Sequence, residues 1–571
     1  MNKDQIFQEI IQGAKDLIGN ELQYISSSSS TVVIESVEEA ANGIMARRGA
    51  NSPQKITFDR LNTYAAALAK GRPIHTDTVY NSGGNDRTII ETIVCHLPKV
   101  GFMKGRQGRN QTKNKVVQWF PEDIHPLGET LDVSDESYSE YEGQQPQIEL
   151  TPLPKPFILL AGISGTGKTR FIREQAKSSG DLEQTYRLVS VRPDWHEPSD
   201  LLGYISRLGK SGAEYIATDV LKFIVQAWLE IIDDIVDTDS DLYWKAKELE
   251  SIRPFWLCLD EMNLAPVEQY FADYLSVMET RTWYTSEELD EFNDTNGTSF
   301  DYYYECDPLL KSTLFDQLES AGKAKLRRDL GLEGSSYDNI WRYFQANGIS
   351  LPFNLIVAGT VNMDETTHGF SRKVIDRALT IDFGMFYPND FFQYFEPQTK
   401  PRALGYPTLS HASLDALKNT PSDPNGEKSI NFLSEINSIL KGTPFELAYR
   451  ALNELLLSVI CSAPENDALL QATWDDFLMC KILPRIEGDA DKLASKEVDE
   501  SEIYNEQTLL SDLEKVIQHQ LNGIWDTQRQ DLLREPSPDS SEPLLVPCRS
   551  KAKLEWMQKR LQSNSFASFW P

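Results

Sequence analysis

Cysteine and histidine are both scarce: six and seven in a chain of 571 residues. The cysteines (Cys95, Cys258, Cys306, Cys461, Cys480 and Cys548) form no CxxC pair and the histidines are scattered. That spacing argues against a zinc site and for reduced structural thiols in a cytoplasmic protein. Long hydrophobic runs are missing too, and nothing approaches the ~18 apolar residues of a membrane span. The start, MNKDQIFQEIIQGAKDLIG, is amphipathic without the unbroken apolar core of a secretory leader. Positive charge is in deficit, with 56 Lys and Arg against 86 Asp and Glu and a net charge of −30. A wholly basic nucleic-acid coat protein is thereby excluded, while a local basic patch is not. What is present suffices for real cores: 40% hydrophobic and 10% aromatic residues exclude global disorder. At ~150 residues per domain the length points to three or four domains.

Composition divides the chain. Leu97 to Phe120 carries six basic residues (Lys99, Lys104, Arg106, Arg109, Lys113 and Lys115) and no acid. Pro121 to Glu149 then carries nine acids and no Lys or Arg, in an aperiodic Pro-, Gly-, Ser- and Gln-containing stretch. We read residues 1–120 as an N-terminal domain, 121–151 as an acidic disordered linker, 152–390 as a core, and 391–571 as a helical C-terminal region. In the core, FILLAG (157–162), YRLVSV (186–191), FWLCLD (255–260) and FNLIVAGTVN (353–362) are apolar runs that end in polar residues. Separated by helical patterns such as TRFIREQAK (169–177), they predict a parallel α/β sheet flanked by helices, with its ligand at the carboxyl ends of the strands. Residues 283–350, rich in acids and aromatics, are too long for a plain loop. A solvated decoration and a partner-binding insertion are both open readings for them.

The sharpest motif is Gly162-Ile-Ser-Gly165-Thr166-Gly167-Lys168-Thr169, which fits GxxxxGK[ST] between a predicted strand and a predicted helix. Glycines let backbone N–H groups curl around phosphate, and the helix amino terminus adds its positive end. Lys168 reaches toward the β- and γ-phosphates, and Thr169 offers a hydroxyl to Mg²⁺. About 90 residues on, FWLCLD delivers Asp260 for the metal and Glu261 to polarise the attacking water. The strand LIVAGTVN delivers Asn362, an uncharged group able to orient that water. Downstream, Ser371-Arg372-Lys373-Val374-Ile375-Asp376-Arg377 precedes the strand-like ALTIDF. An arginine there suits a finger reaching a neighbouring subunit's γ-phosphate, which requires an oligomer.

Together these motifs resemble an AAA+ P-loop NTPase with a C-terminal helical lid, and in detail the McrB-like branch, the motor of modification-dependent restriction systems. The resemblance rests on LDEMNLAPVEQYFADYLSVMETR (259–281), AGTVNMDETTHGFSRKVIDRALTIDF (358–383), FELAYRALNELL (445–456), KILPRIEG (481–488) and KLEWMQKRLQSNSFASFW (553–570). It covers roughly residues 150–571 and leaves 1–120 outside. It implies Asp260 and Glu261 as the acidic pair, Arg377 or Arg372 as the finger, and Arg450 or Arg485 as the lid arginine that senses nucleotide. The asparagine signature stands here as Val361-Asn362-Met363-Asp364. The resemblance further implies ATP or GTP hydrolysis with Mg²⁺, a homo-oligomer in the form of a hexameric ring, and cleavage by a separate McrC-like nuclease in antiphage defence.

In residues 30–120, helical patterns at IESVEEAANGIMARR, FDRLNTYAAALAKG and RTIIETIVCHL precede VGFMKG and NKVVQWF, two strand-like runs joined by RQGRNQT. A small α/β domain of this order is similar to a winged helix. Lys104, Arg106, Arg109, Lys113 and Lys115 would then face DNA phosphates. Two rival readings stand beside this one. A MoxR-type AAA+ chaperone would remodel protein partners, and a nucleotide-gated scaffold would barely hydrolyse at all.

Overall fold

The computed structural model describes residues 3–24, 27–38, 42–49, 52–69, 74, 79, 87–107, 113–133, 150–209, 212–238, 241–363, 370–393, 395, 397–495, 508–537 and 542–570. The chain divides into two compact units, Met1–Gln147 and Ile148–Pro571.

In the first unit, helix α1 (Lys3–Asp16) is followed by strands β1 (Glu21–Tyr24), β2 (Ser27–Glu38), β3 (Gly43–Arg48) and β4 (Gln54–Thr57). These form an antiparallel sheet in the order β1-β2-β3-β4. Helices α2 (Phe58–Leu68) and α3 (Arg87–Cys95) follow, then the hairpin of β5 (Val100–Gln107) and β6 (Lys113–Trp119), with β7 (Leu131–Asp132) alongside β5. One core holds the unit together, with Ile10, Ile34, Ile44, Ile56, Tyr64, Ile90, Ile93 and Val117 fully buried.

Three expectations are corrected here. IESVEEAANGIMARR is not one helix, because residues 34–38 lie on β2 and Gly43–Arg48 on β3, with residues 39–41 outside the described residues. Ile34 on β2 is fully buried, as are Ile44 and Ala46 two apart on β3, and Ile34 pairs with Ala46 across the two strands. Apolar residues at that spacing share one sheet face, and cross-strand packing outweighs the modest helical preference of Glu and Ala. The four-stranded sheet also replaces the winged-helix arrangement, while the expected hairpin of β5 and β6 is present. The linker is the third correction, since its opening part is structured. Val133 is buried with Met103 and Phe120, and Ile124 and Leu131 pack against them. His125 is bonded through Nε2 to the Val100 carbonyl at 2.8 Å. A few apolar anchors among many acids were enough to dock this stretch. Residues 134–149 lie outside the described residues.

The second unit is built on β8 (Phe157–Gly162), β9 (Tyr186–Ser190), β10 (Phe255–Asp260), β11 (Leu355–Asn362) and β12 (Leu379–Asp382). All pair in parallel, in the order β9-β10-β11-β8-β12. Every residue of β8 and of β11 is buried, as unbroken apolar runs covered on both faces require. Helix α4 (Lys168–Ser178) follows β8 and buries Phe171, Ile172 and Ala176. Helix α5 (Ala272–Met278) follows β10, and the short helix α6 (Arg372–Ile375) precedes β12. The C-terminal region is largely helical, through α7 (Glu427–Leu440), α8 (Tyr449–Ser462), α9 (Asp467–Phe477), α10 (Leu509–Gln520) and α11 (Arg549–Asn564).

Residues 283–350 are not a solvated decoration. Their aromatics build core: Trp244 stacks on Tyr303 at 5.1 Å, Tyr303 on Phe292 at 4.6 Å, and Trp283 meets Phe353 at 4.8 Å. Tyr304 is 1% exposed and its hydroxyl donates to the Leu351 carbonyl at 2.9 Å. An acid-rich segment can thus hold apolar weight when its aromatics share one side.

Candidate functional site

The site forms where β8, β10 and β11 end. Within the loop after β8, Gly165 and Gly167 have φ of +80° and +92°. These left-handed values are strained for any residue with a Cβ, which accounts for glycine at both. Gly167 is the N-cap of α4 and, lacking a side chain, makes no cap hydrogen bond to the first turn. Thr166 Oγ1 donates to the Ile163 carbonyl at 3.1 Å, closing the turn. Lys168, only 5% exposed, curls back so that Nζ donates to the carbonyls of Gly162 at 2.9 Å and Ile163 at 2.8 Å.

Sheet order decides which side chains meet this loop. β11 lies between β8 and β10, and Asn362 stands level with Gly162. Thr169 Oγ1 donates to Asp260 Oδ1 at 2.9 Å. Thr360 Oγ1 donates to the same oxygen at 2.7 Å and accepts the Glu261 N–H at 2.9 Å. Asn362 Nδ2 donates to Glu261 Oε1 at 3.1 Å, and Asn263 Nδ2 donates to the Asn362 carbonyl at 3.1 Å. A close backbone approach completes the packing: a Cβ on Gly359 would stand 2.5 Å from Met262 Sδ. The loop residues Gly162, Gly165, Thr166, Gly167, Lys168 and Thr169 therefore share one corner with Asp260, Glu261 and Asn362.

Thr360 and Asn263 also belong to this corner, and the sequence motifs assign a role to neither. Thr360 is two residues before Asn362 on a strand, hence on the same face, and that period is the signal by which it could be found.

The arginines lie elsewhere. Leu379 of β12 pairs with Ile158 and Asp382 with Ala161, so Arg377, just ahead of β12, sits at the amino ends of these strands. Four residues at ~3.3 Å each place it more than ~13 Å along the sheet from the loop after Gly162. Arg450 and Arg485 join Arg377, not the loop. Arg450 Nη2 is 2.9 Å from Glu279 Oε2, whose Oε1 is 3.6 Å from Arg377 Nε. Arg485 Nε is 3.0 Å from Asp376 Oδ1. Arg372 donates from Nη1 to the Pro444 carbonyl at 2.7 Å and lies over Phe445 at 5.0 Å. Asp364 lies outside the described residues.

Beneath this group is a buried cluster of charges in which one carboxylate serves two lysines. Glu454 of α8 pairs with Lys155, just before β8, and with Lys481 at 2.6 Å. Both ammonium groups also donate to the Asp376 carbonyl, Lys155 at 3.0 Å. Burial, with Lys481 repelling, draws the Lys155 ammonium down to about 7, against the pull of Glu454.

The basic run of the first unit falls on the hairpin, with Lys104 and Arg106 on β5 and Lys113 and Lys115 on β6. Arg109 lies outside the described residues. No described helix is long and apolar enough to cross a membrane.

Comparison with known proteins adds two findings. Residues 410–566 match a family described as "Domain of unknown function (DUF8727)". A stretch of 113 residues, 18% of this chain, is 27% identical to the type II restriction enzyme NmeDI of Neisseria meningitidis serogroup C. The chain spans about a third (32%) of that relative's length.

Proposed function

We propose that the chain is a McrB-like AAA+ nucleoside-triphosphatase that hydrolyses ATP or GTP. The observation that carries this reading is the convergence of Thr169, Thr360 and Asp260 with the Glu261–Asn362 pair beside the glycine-rich loop that opens α4. The triphosphate lies along that loop, and Lys168 leaves its carbonyl partners for phosphate oxygens, a stronger charge-assisted contact. The Thr169 hydroxyl and the Asp260 carboxylate, 2.9 Å apart, are the hard oxygen donors that suit Mg²⁺. Bound there, Mg²⁺ supplies neutralisation of the charge developing on the phosphates. Glu261 takes the proton of the attacking water on its carboxylate, and Asn362 holds that carboxylate in place.

With Arg377 at the far end of the sheet from its own loop, its place as a finger is at a neighbour's site. The assembly is therefore a homo-oligomer, a hexameric ring by resemblance to the family. Because Arg450 and Arg485 stand beside Arg377, their response to nucleotide belongs to that same interface. In this reading the N-terminal unit selects DNA through its basic hairpin, and cutting falls to a separate McrC-like nuclease. The partial likeness to a restriction enzyme supports that setting. The deciding experiment measures ATP and GTP hydrolysis by the purified full-length chain and by Lys168→Ala. Hydrolysis lost in the variant is expected, and parental turnover would overturn the proposal.

A further inference from the structure

We propose that Glu279 is the positioning residue that aims Arg377 at the neighbouring site and ties that aim to the helical C-terminal region through Arg450. The proposal rests on the NTPase reading above and adds a residue to it.

Helix α5 follows the acidic pair in the chain, and Glu279 stands just past its last turn, beside Arg377 at the amino ends of the strands. Glu279 serves two arginines with separate oxygens: Oε2 to Arg450 at 2.9 Å and Oε1 to Arg377 at 3.6 Å. The two contacts differ in kind. The Arg450 contact is a close ion pair, whereas 3.6 Å is a looser Coulombic approach.

The base of Arg377 is fixed while its head is loose. The Asp376 carbonyl accepts from Lys155 and Lys481, and the Asp376 carboxylate holds Arg485 at 3.0 Å. Among the described residues, the head has beyond Glu279 a single long bond, from Nη1 to the Lys373 carbonyl at 3.4 Å, and its buried Nε makes no hydrogen bond to any of them. A finger needs this combination, a clamped backbone under a guanidinium that can leave its resting partner for phosphate. Partly exposed pairs of this kind contribute little to stability. The work of Glu279 is therefore orientation, and preorganised geometry of this kind governs rate. Since Arg450 is carried by α8, any shift of that helix moves the carboxylate and with it the aim of Arg377.

The test compares the full-length parental chain with Glu279→Gln, Glu279→Asp, Arg377→Ala, Arg450→Ala and the Glu279→Gln/Arg377→Ala double variant, reading kcat, KM and thermal midpoint. Glu279→Gln should lower kcat about ten- to a hundredfold with KM and midpoint unchanged. It should add nothing once Arg377 is Ala, and Arg450→Ala should shift kcat the same way. Parental kcat in Glu279→Gln, or reductions that multiply in the double variant, would overturn the role. Should Glu279→Gln melt early, Glu279→Asp decides: a lowered kcat at unchanged KM supports the role, and a parental kcat refutes it. Lys168→Ala runs in parallel, and its retained turnover would sink the NTPase reading instead.

Discussion

Asn362 holds Glu261 through a 3.1 Å hydrogen bond between two strand ends that are 101 residues apart in the chain. Glu261 needs holding, because its backbone has φ of +54°. A non-glycine residue there costs about 1–3 kcal/mol, and such strain collects at working sites. Asn362→Ala should leave nucleotide binding intact and slow turnover about 10²- to 10⁴-fold, the range of a lost acid–base group. Equilibrium binding of a fluorescent nucleotide beside steady-state hydrolysis checks this, and a parental rate would contradict it.

Thr360 bridges the two acids with one hydroxyl. Thr360→Val keeps the shape but removes a donor to Asp260 and the acceptor for the Glu261 N–H. Leaving that N–H unsatisfied should cost about 1–3 kcal/mol in chemical denaturation. Hydrolysis should fall more than stability, and a silent substitution would show that the bridge does not matter.

Within the matched segment 410–566, Asp475, Asp476, Arg529, Asp531 and Arg549 form one buried network of charges. Arg529 contacts Asp475 at 2.7 Å and also Asp476, and Arg549 contacts Asp531 at 2.7 Å. Arg529→Met strands Asp475, a carboxylate with no exposure, and should destabilise the protein by about 3–5 kcal/mol. A denaturation midpoint equal to the parent's would be inconsistent with this network.

Lys155 carries a pH dependence of known sign. Its ammonium loses its proton near pH 7 in the fold, below the ordinary lysine value of 10.5. Between those values the unfolded chain binds more protons than the folded one, so this group makes stability rise with pH. The rise starts near pH 7 and levels off above the unfolded value. Lys155→Met should flatten the stability profile in that window, as measured by denaturation at a series of pH values.

The basic hairpin makes a separate prediction. In the full-length chain, replacing Lys104, Arg106, Arg109, Lys113 and Lys115 with Ala should weaken DNA binding. It should also reduce the salt dependence of that binding, by about 0.9 in log–log slope for each phosphate no longer neutralised. Unchanged affinity at low salt would exclude the hairpin as the DNA-binding surface.

Local chemistry made part of this site readable. The glycines at 165 and 167 occupy backbone conformations that other residues resist, and the fully buried FILLAG and LIVAGTVN runs suit only strands covered on both faces. Helices α7, α8 and α10 likewise follow their apolar spacing. Elsewhere local pattern misled, because the outcome depended on distant partners. IESVEEAANGIMARR became two strands since sheet neighbours were there to bury Ile34, Ile44 and Ala46. The aromatics of 283–350 became core since Trp244 and Phe353 met them.

What the residues determined alone is the glycine-rich loop, the acidic pair at a strand end and the direction of the main strands, because each depends on backbone freedom or hydrophobic period over a few neighbours. Tertiary structure alone decided that β11 lies between β8 and β10, bringing Asn362 to Glu261 and Thr360 to Asp260. It also decided that Arg377, Arg450 and Arg485 gather around Glu279 and Asp376 at the opposite end. Strand order and the meeting of charges from separate elements follow from global packing, which no local window of sequence contains.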